Sequence, residues 1–372
     1  MFKVSHHLAV TEDTVRKRLQ RVREICQSQI YNVTWQRQQT TGNVWISRKH
    51  DLHYCISPKI GCTYWKQFMR FIADDYPKGT QANISKPHDI DRYYTHYHKV
   101  SKLIESRLPN PMTMGEMSKG RSFTFTRNPY TRLWSAYIDK FFLPDFWLNV
   151  APAIMGQTRR NATYFEKRQC GRGVTFEEFL RHIVQQFPKK LNEHWEPIHK
   201  LCGVCYIDYD VIGKIETFED DSHLILHKFG FTYLNPNKTS KLVRAVEELT
   251  MLVKYNFDLA GPRTIGCFNT EDVATLLWKA FQYNGYIHDS ISLPMNLTKS
   301  EQFKTHPKQV FMKHVIDTLK HQVDHNMDLK FQKINLMKEA YGRIPKKILD
   351  GIKEVYRYDF EMFGYDNDVF KL

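Results

Sequence analysis

Leu52-His53-Tyr54-Cys55-Ile56-Ser57-Pro58-Lys59-Ile60-Gly61-Cys62-Thr63-Tyr64-Trp65-Lys66 is the stretch whose parsing decides the architecture. Residues 52–56 form a short strand-like run, which stops at Ser57-Pro58 because proline cannot donate to a central ladder. From Thr63 to Asp74 the pattern changes, with Trp65, Phe68, Met69 and Ile72 recurring at helical spacing. Pro58 to Thr63 is therefore a strand-to-helix turn. The first turn of a helix has unused N–H groups and a partial positive charge, which together suit phosphate or sulfate. Gly61 lets the backbone approach closely, Thr63 adds a hydroxyl donor and Lys59 a mobile cation. An ordinary turn with a surface lysine fits the same residues.

A second unit of this kind lies further on. Phe123 and Phe125 alternate in a strand ended by Arg127-Asn128-Pro129, and Tyr130 to Phe142 is helical with Leu133, Ala136 and Tyr137 on one side. Arg127 at the strand end can grip a phosphate bidentately, while Ser135, one to two turns into the helix, caps another oxygen. Arg132 offers a further cation. An N-capped helix with salt-bridging arginines is the plainer reading. The first unit is P-loop-like but departs from GxxxxGK[ST], because its lysine precedes the glycine. With no Lys-Ser/Thr pair after the glycine and no Walker-B Asp, a nucleotide kinase or other P-loop NTPase is disfavoured.

Outward from these units, residues 77–98 hold turn formers and several His and read as loop. Val100, Leu103, Ile104 and Leu108 suggest a helix closed by Pro109-Asn110-Pro111. Thr175-x-x-Glu178 is a capping box opening a helix with Phe176, Phe179, Leu180 and Ile183 inward. Val211 to Ile215 is a third strand, and Phe218 to Phe229 a helix ended by Gly230. Helices follow near 242–255, 271–283 and 309–326, with a last one at 346–358. Strands separated by helices predict an α/β layer with a parallel sheet. Residues 11–30 read as an exposed basic helix (Arg16, Lys17, Arg18, Arg21, Arg23), a stem or a solvated surface helix.

Net charge is +14, from 54 Lys and Arg against 40 Asp and Glu, so polyanions are drawn to the chain. The bases are scattered and no nucleic-acid-binding signature is present, which favours a nucleotide cofactor with an acidic polysaccharide over nucleic acid. Seven cysteines are too few and too odd in number for a disulfide framework. Cys202-Gly-Val-Cys205 has the spacing of half a zinc site, with His199 a weak third ligand, or of a redox pair, and a structural disulfide is preferred to a metal site. Five N-x-S/T acceptors, at Asn32, Asn83, Asn161, Asn237 and Asn296, point to the secretory pathway. Residues 1–30 contain no apolar signal core and no membrane span, so the expectation is an anchor missing from this chain.

Two anion cradles, one for a 5′-phosphosulfate and one for a separate phosphate, describe 3′-phosphoadenosine 5′-phosphosulfate (PAPS). Lys59 to Lys66 (KIGCTYWK) resembles the 5′-phosphosulfate loop of the membrane-bound carbohydrate sulfotransferases. Arg127 to Tyr137 (RNPYTRLWSAY), continuing to Asp139-Lys140-Phe141, resembles their 3′-phosphate motif. Asn192-Glu193-His194-Trp195 through Cys202-x-x-Cys205 to Ile212-Gly213-Lys214-Ile215-Glu216-Thr217 also resembles the branch of chondroitin, dermatan and GalNAc 4-O-sulfotransferases. So does the closing Asp359-Phe360 to Phe363-Gly364-Tyr365. These blocks are in family order over about residues 52–365. Tyr64 replaces a usual small polar residue, and Asn128 stands where Asp or His is frequent.

The resemblance implies an α/β, P-loop-like sulfotransferase fold with a central parallel sheet flanked by helices. It would occupy residues 44–372 as a single domain, after a basic stem-like segment at 1–43 and with a divergent helical insertion at about 235–340. It implies transfer of a sulfuryl group from PAPS to a glycan hydroxyl, with chondroitin or dermatan GalNAc O-4 as one acceptor, in the Golgi lumen and without a metal. Pro58, Lys59, Ile60, Gly61, Cys62, Thr63, Tyr64 and Trp65 would bind the phosphosulfate, and Arg127, Arg132 and Ser135 the 3′-phosphate. Lys59 would also neutralise the leaving group. A histidine suits the general base; His194, His96 and His98 are candidates, with Glu216 orienting a base or pairing with a lysine. A non-catalytic basic glycan-binding protein would explain the charge and the sequons, but not Lys59 and Arg127–Ser135 together.

Overall fold

In the computed structural model, residues 2–28, 40–77, 84–159, 161, 163, 166, 170–234, 241–264 and 266–372 are described. Five strands make one sheet: β1 (Asn43–Ser47), β2 (Leu52–Cys55), β3 (Ile104–Arg107), β4 (Arg121–Thr126) and β5 (Val211–Lys214), in the order β3-β1-β2-β4-β5. β2, β4 and β5 run parallel, whereas β1 is antiparallel to both β2 and β3. The sheet is thus mixed, where a parallel one was expected. Only four residues join Ser47 to Leu52, and so short a connection can only reverse the chain. β2 is buried at every position and β4 at all but its first, the pattern of strands covered on both faces.

The helices used below are α1 (Phe2–Gln27), α2 (Cys62–Ile72), α3 (Arg92–Tyr97), α4 (Pro129–Tyr137), α5 (Phe218–Lys228), α6 (Lys241–Leu259), α7 (Thr270–Tyr283) and α8 (Pro307–Asp324). Trp65, Phe68, Met69 and Ile72 are buried on α2, as their spacing predicts. Two readings change. Residues 104–107, expected in a helix, form β3 because pairing with β1 outweighs the local apolar spacing. The segment expected to be loop contains α3, whose N-cap Asp91 accepts the Tyr94 N–H.

The chain divides into two compact units of interleaved segments. The first comprises Met1–Arg132, Gln186–Pro236 and Lys353–Asn367 and carries the sheet. α1 belongs to it. Val15 and Val22 are buried, Arg18 pairs with the buried Asp221 at 2.7 Å, and Cys26 is disulfide-bonded to Cys205. The second unit comprises Leu133–Gln185, Asn237–Ile352 and Asp368–Leu372, so most of the expected insertion falls in it together with residues 133–185. Its core gathers Phe257 from α6, Leu277, Trp278 and Phe281 from α7 and Phe311 from α8, and a Cys170–Cys267 disulfide crosslinks it.

The cysteine reading is corrected as well. Six of the seven cysteines are paired, as Cys26–Cys205, Cys55–Cys202 and Cys170–Cys267. Cys202 and Cys205 each take a distant partner, so their spacing is not half of a zinc site. Asn161 and Asn296 are exposed, while Asn32, Asn83 and Asn237 lie outside the described residues. Among the described residues no helix is long and apolar enough to cross a membrane.

Candidate active site

The turn from β2 to α2 is held in an uncommon backbone conformation. Lys59 has φ +69° and Gly61 φ +70°, both left-handed. For a lysine this costs on the order of 1 kcal/mol or more, and such strain persists where the surroundings impose it. Gly61 is required twice over, by its φ and because a Cβ there would lie 2.7 Å from the Phe218 ring of α5. The first helical hydrogen bond runs from Trp65 N–H to Gly61 O, so the Cys62 and Thr63 N–H groups precede the ladder. Pro58 and Ile60 are buried beneath the turn, and Cys62 keeps its thiol.

The two aromatic residues expected at the cofactor divide. Tyr64 is half-buried, its ring edge-on to Phe218 and 5.5 Å from that of His88. Trp65 is fully buried among Tyr54, Phe68, Phe123 and Phe125, so its side chain belongs to the core beneath the turn. The sequence pattern does not separate these roles, because both residues adjoin the loop.

Arg127 links the start of α4 to the turn before α2. From the end of β4 its Nη1 donates to Lys59 O at 2.9 Å, and its Nε donates to Thr131 Oγ1 at 3.0 Å. Arg132 behaves differently. It is 1% exposed and donates to Pro58 O (3.2 Å), Glu196 O (2.5 Å) and Glu193 O (2.9 Å). Its fork therefore ties the turn to the 193–196 segment, and burial lowers its pKa. This geometry makes it a connector, where a further phosphate cation was expected. Ser135 is half-buried, further along α4 and within the second unit.

The three candidate histidines sit in distinct places. His96, on α3, has Nε2 3.0 Å from Thr63 Oγ1 and so touches the loop directly. His98 is exposed and stacks on Tyr94, with ring centroids 4.5 Å apart. His194 is half-buried, its Nδ1 2.7 Å from Asn192 Oδ1, on the segment that Arg132 holds. Among the described residues Glu216 makes no hydrogen bond to these histidines and no lysine ion pair. It accepts the Asn128 N–H at 3.0 Å and the Tyr365 hydroxyl at 3.1 Å, fixing the residue next to Arg127.

Behind the 193–196 segment lies a buried polar network that the sequence pattern does not single out. Asp359 accepts the Ile198 and His199 N–H groups and pairs with His199 Nδ1 at 2.7 Å. Glu196, 1% exposed, accepts the Leu191 N–H, and burial pushes its carboxyl up to about 7. The signal available was Asp359 in the closing block and Glu196 beside Trp195, but pairs so far apart in sequence carry no periodicity. Among the described residues no cluster of metal-ligating side chains is found.

A family profile described as "Sulfotransferase family" matches residues 42–254, which include the 58–65 turn and Arg127 to Ser135. Carbohydrate sulfotransferase 11 of Rattus norvegicus is 32% identical over 212 residues, 55% of this chain and 58% of that protein. Carbohydrate sulfotransferase 14 of Danio rerio is 29% identical over 243 residues, 61% of this chain and 63% of that protein. Carbohydrate sulfotransferase 9 of Homo sapiens is 31% identical over 235 residues, 59% of this chain and 48% of that protein. The chain thus spans about half to three-fifths of the length of the curated relatives it matches. No solved structure matches.

Proposed function

This chain belongs to the sulfotransferase family, and from that premise we propose that it transfers a sulfuryl group from PAPS to a hydroxyl of a carbohydrate. The observation that carries the reading is the bond from the Arg127 guanidinium to the Lys59 carbonyl, which supports reading the two motifs as one site. PAPS would supply an activated sulfuryl group on a nucleotide leaving group. The residues present suit it: a left-handed Lys-x-Gly turn at a helix start for the 5′ end, and an arginine beside it for the 3′-phosphate.

In this mechanism Lys59 neutralises charge on the leaving oxygen, while the Cys62 and Thr63 N–H groups and the Thr63 hydroxyl hold the 5′-phosphate. Arg127 orients the 3′-phosphate, with Ser135 the second ligand implied by the motif. The acceptor hydroxyl oxygen forms the new bond to sulfur as the sulfur–oxygen bond to the nucleotide breaks. His96 takes the hydroxyl proton, because it is the candidate hydrogen-bonded to the phosphate loop. The products are a sugar sulfate ester and 3′-phosphoadenosine 5′-phosphate.

The relatives' names specify carbohydrate acceptors for those proteins, and a glycan is the acceptor class proposed here, with chondroitin or dermatan GalNAc O-4 as the finer reading. Three disulfides and the exposed Asn161 and Asn296 sequons support a secretory, Golgi-lumenal setting. Radiolabelled PAPS presented with desulfated chondroitin, dermatan, heparan and N-glycan acceptors tests the proposal. Label should pass to at least one glycan, and Lys59→Ala or Arg127→Ala should lower kcat/KM at least about 100-fold in a folded chain. Near-wild-type transfer by either variant sinks the site, and no transfer to any acceptor sinks the function.

A further inference from the structure

Lys214 ends β5 and pairs in register with Thr126, the last residue of β4, directly before Arg127. Its ammonium stands 4.1 Å from the centroid of the Tyr365 ring. That ring is anchored at its far end, since the Tyr365 hydroxyl lies 3.1 Å from Thr126 Oγ1 and donates to Glu216 Oε2 at 3.1 Å. Glu216 holds Asn128 through its other oxygen. The cation therefore rests on a plate fastened to the residues on either side of Arg127.

No ion pair of the Lys214 ammonium is found among the described residues. The Asp221 carboxylate meets the Lys214 backbone N–H instead, and the same oxygen accepts from Arg18 at 2.7 Å and from Thr217 at 2.7 Å. Arg21 donates to Glu361 O at 2.8 Å and adds positive charge. Burial, reinforced by Arg18 and Arg21 and opposed by Glu216 and Asp221, brings the Lys214 ammonium down to about 8. A half-buried cation short of counter-charge stands where open α/β sheets take ligands, at the carboxyl ends of parallel strands.

We propose that Lys214 is a third oxyanion contact of this site, receiving a phosphate, sulfate or carboxylate group of a substrate at the end of β5. The identity of the substrates rests on the sulfotransfer reading; the contact itself does not. Loss of a charged lysine–oxyanion bond should weaken binding at least about tenfold.

The deciding measurement is the titration of the Lys214 Nζ signal in the intact wild-type chain by lysine-selective ¹⁵N NMR, assigned by its loss in Lys214→Arg. Inorganic sulfate, 3′-phosphoadenosine 5′-phosphate and a sulfated chondroitin oligosaccharide are added separately. An upward shift of the midpoint with any of them is the result expected. A midpoint unmoved by all three overturns the assignment. A shift with sulfate in a chain that binds no nucleotide keeps the contact and removes the PAPS reading.

Lys214→Met, which keeps the stem over Tyr365, then identifies the source of the anion. Tenfold weaker nucleotide binding assigns it to the donor. Unchanged nucleotide binding, with a tenfold higher KM for an acidic but not a neutral glycan, assigns it to the acceptor. Lys214→Arg should restore either loss, and a Met variant that binds nucleotide and acidic glycan as the wild type does counts against the contact.

Discussion

His96 Nε2 and Thr63 Oγ1 meet at 3.0 Å, which places a histidine of α3 against the hydroxyl that opens α2. The meeting is possible because α3 packs on α2. Asp91 caps α3 so that His96, in its last turn, faces the loop, while His98 lies beyond the helix and turns to Tyr94.

Removing the proton acceptor should be distinguishable from removing a neighbour. His96→Gln is expected to lower kcat by about 100-fold or more and to abolish the acid limb of the pH–rate profile. His194→Gln should leave that limb in place. An acid limb retained in His96→Gln and lost in His194→Gln would reassign the base.

Arg132 should act through the fold and not through nucleotide charge. Arg132→Met leaves the carbonyls of Pro58, Glu193 and Glu196 without their donor, two of them in buried bonds, and should cost about 3 kcal/mol or more in denaturant unfolding. Arg132→Lys recovers only part of this, because an ammonium cannot reach three acceptors in a plane. A stable Arg132→Met chain with weakened nucleotide binding would make it a phosphate ligand after all.

Glu196 should make stability depend on pH. Burial raises its carboxyl to about 7 from the ordinary value of 4.5, so the folded state holds the proton more tightly. Its contribution is fully present below pH 4.5 and is lost as pH rises through about 7. The difference is on the order of 3 kcal/mol. Unfolding free energies measured from about pH 4.5 to 8 should fall in the wild type, and the slope should flatten in Glu196→Gln.

The Cys55–Cys202 disulfide ties the end of β2, just before the loop, to the short helix Ile198–Leu201 and its cap. Closing a loop of 147 residues restricts the unfolded chain by about 4 kcal/mol or more in the chain-entropy account. Replacing both cysteines by alanine should lower stability by roughly 2–5 kcal/mol, read by denaturant midpoint.

The turn from β2 to α2 is legible in the residues themselves, because its ingredients are local. A strand halted at Pro58, a glycine at Gly61 and an apolar stripe from Trp65 to Ile72 settle backbone conformation within a few residues of one another. The same holds for the β4–α4 motif and for the Thr175–Glu178 capping box, whose reciprocal bonds are present. What tertiary structure alone decided are the meetings between distant residues. Arg127 reaches the Lys59 carbonyl, Arg132 is buried among carbonyls, Glu216 holds Asn128, and Cys26 and Cys55 find Cys205 and Cys202. Charge and residue type say that such groups need partners. Which partner each one finds depends on strand order and helix packing, and those depend on burying the whole core at once.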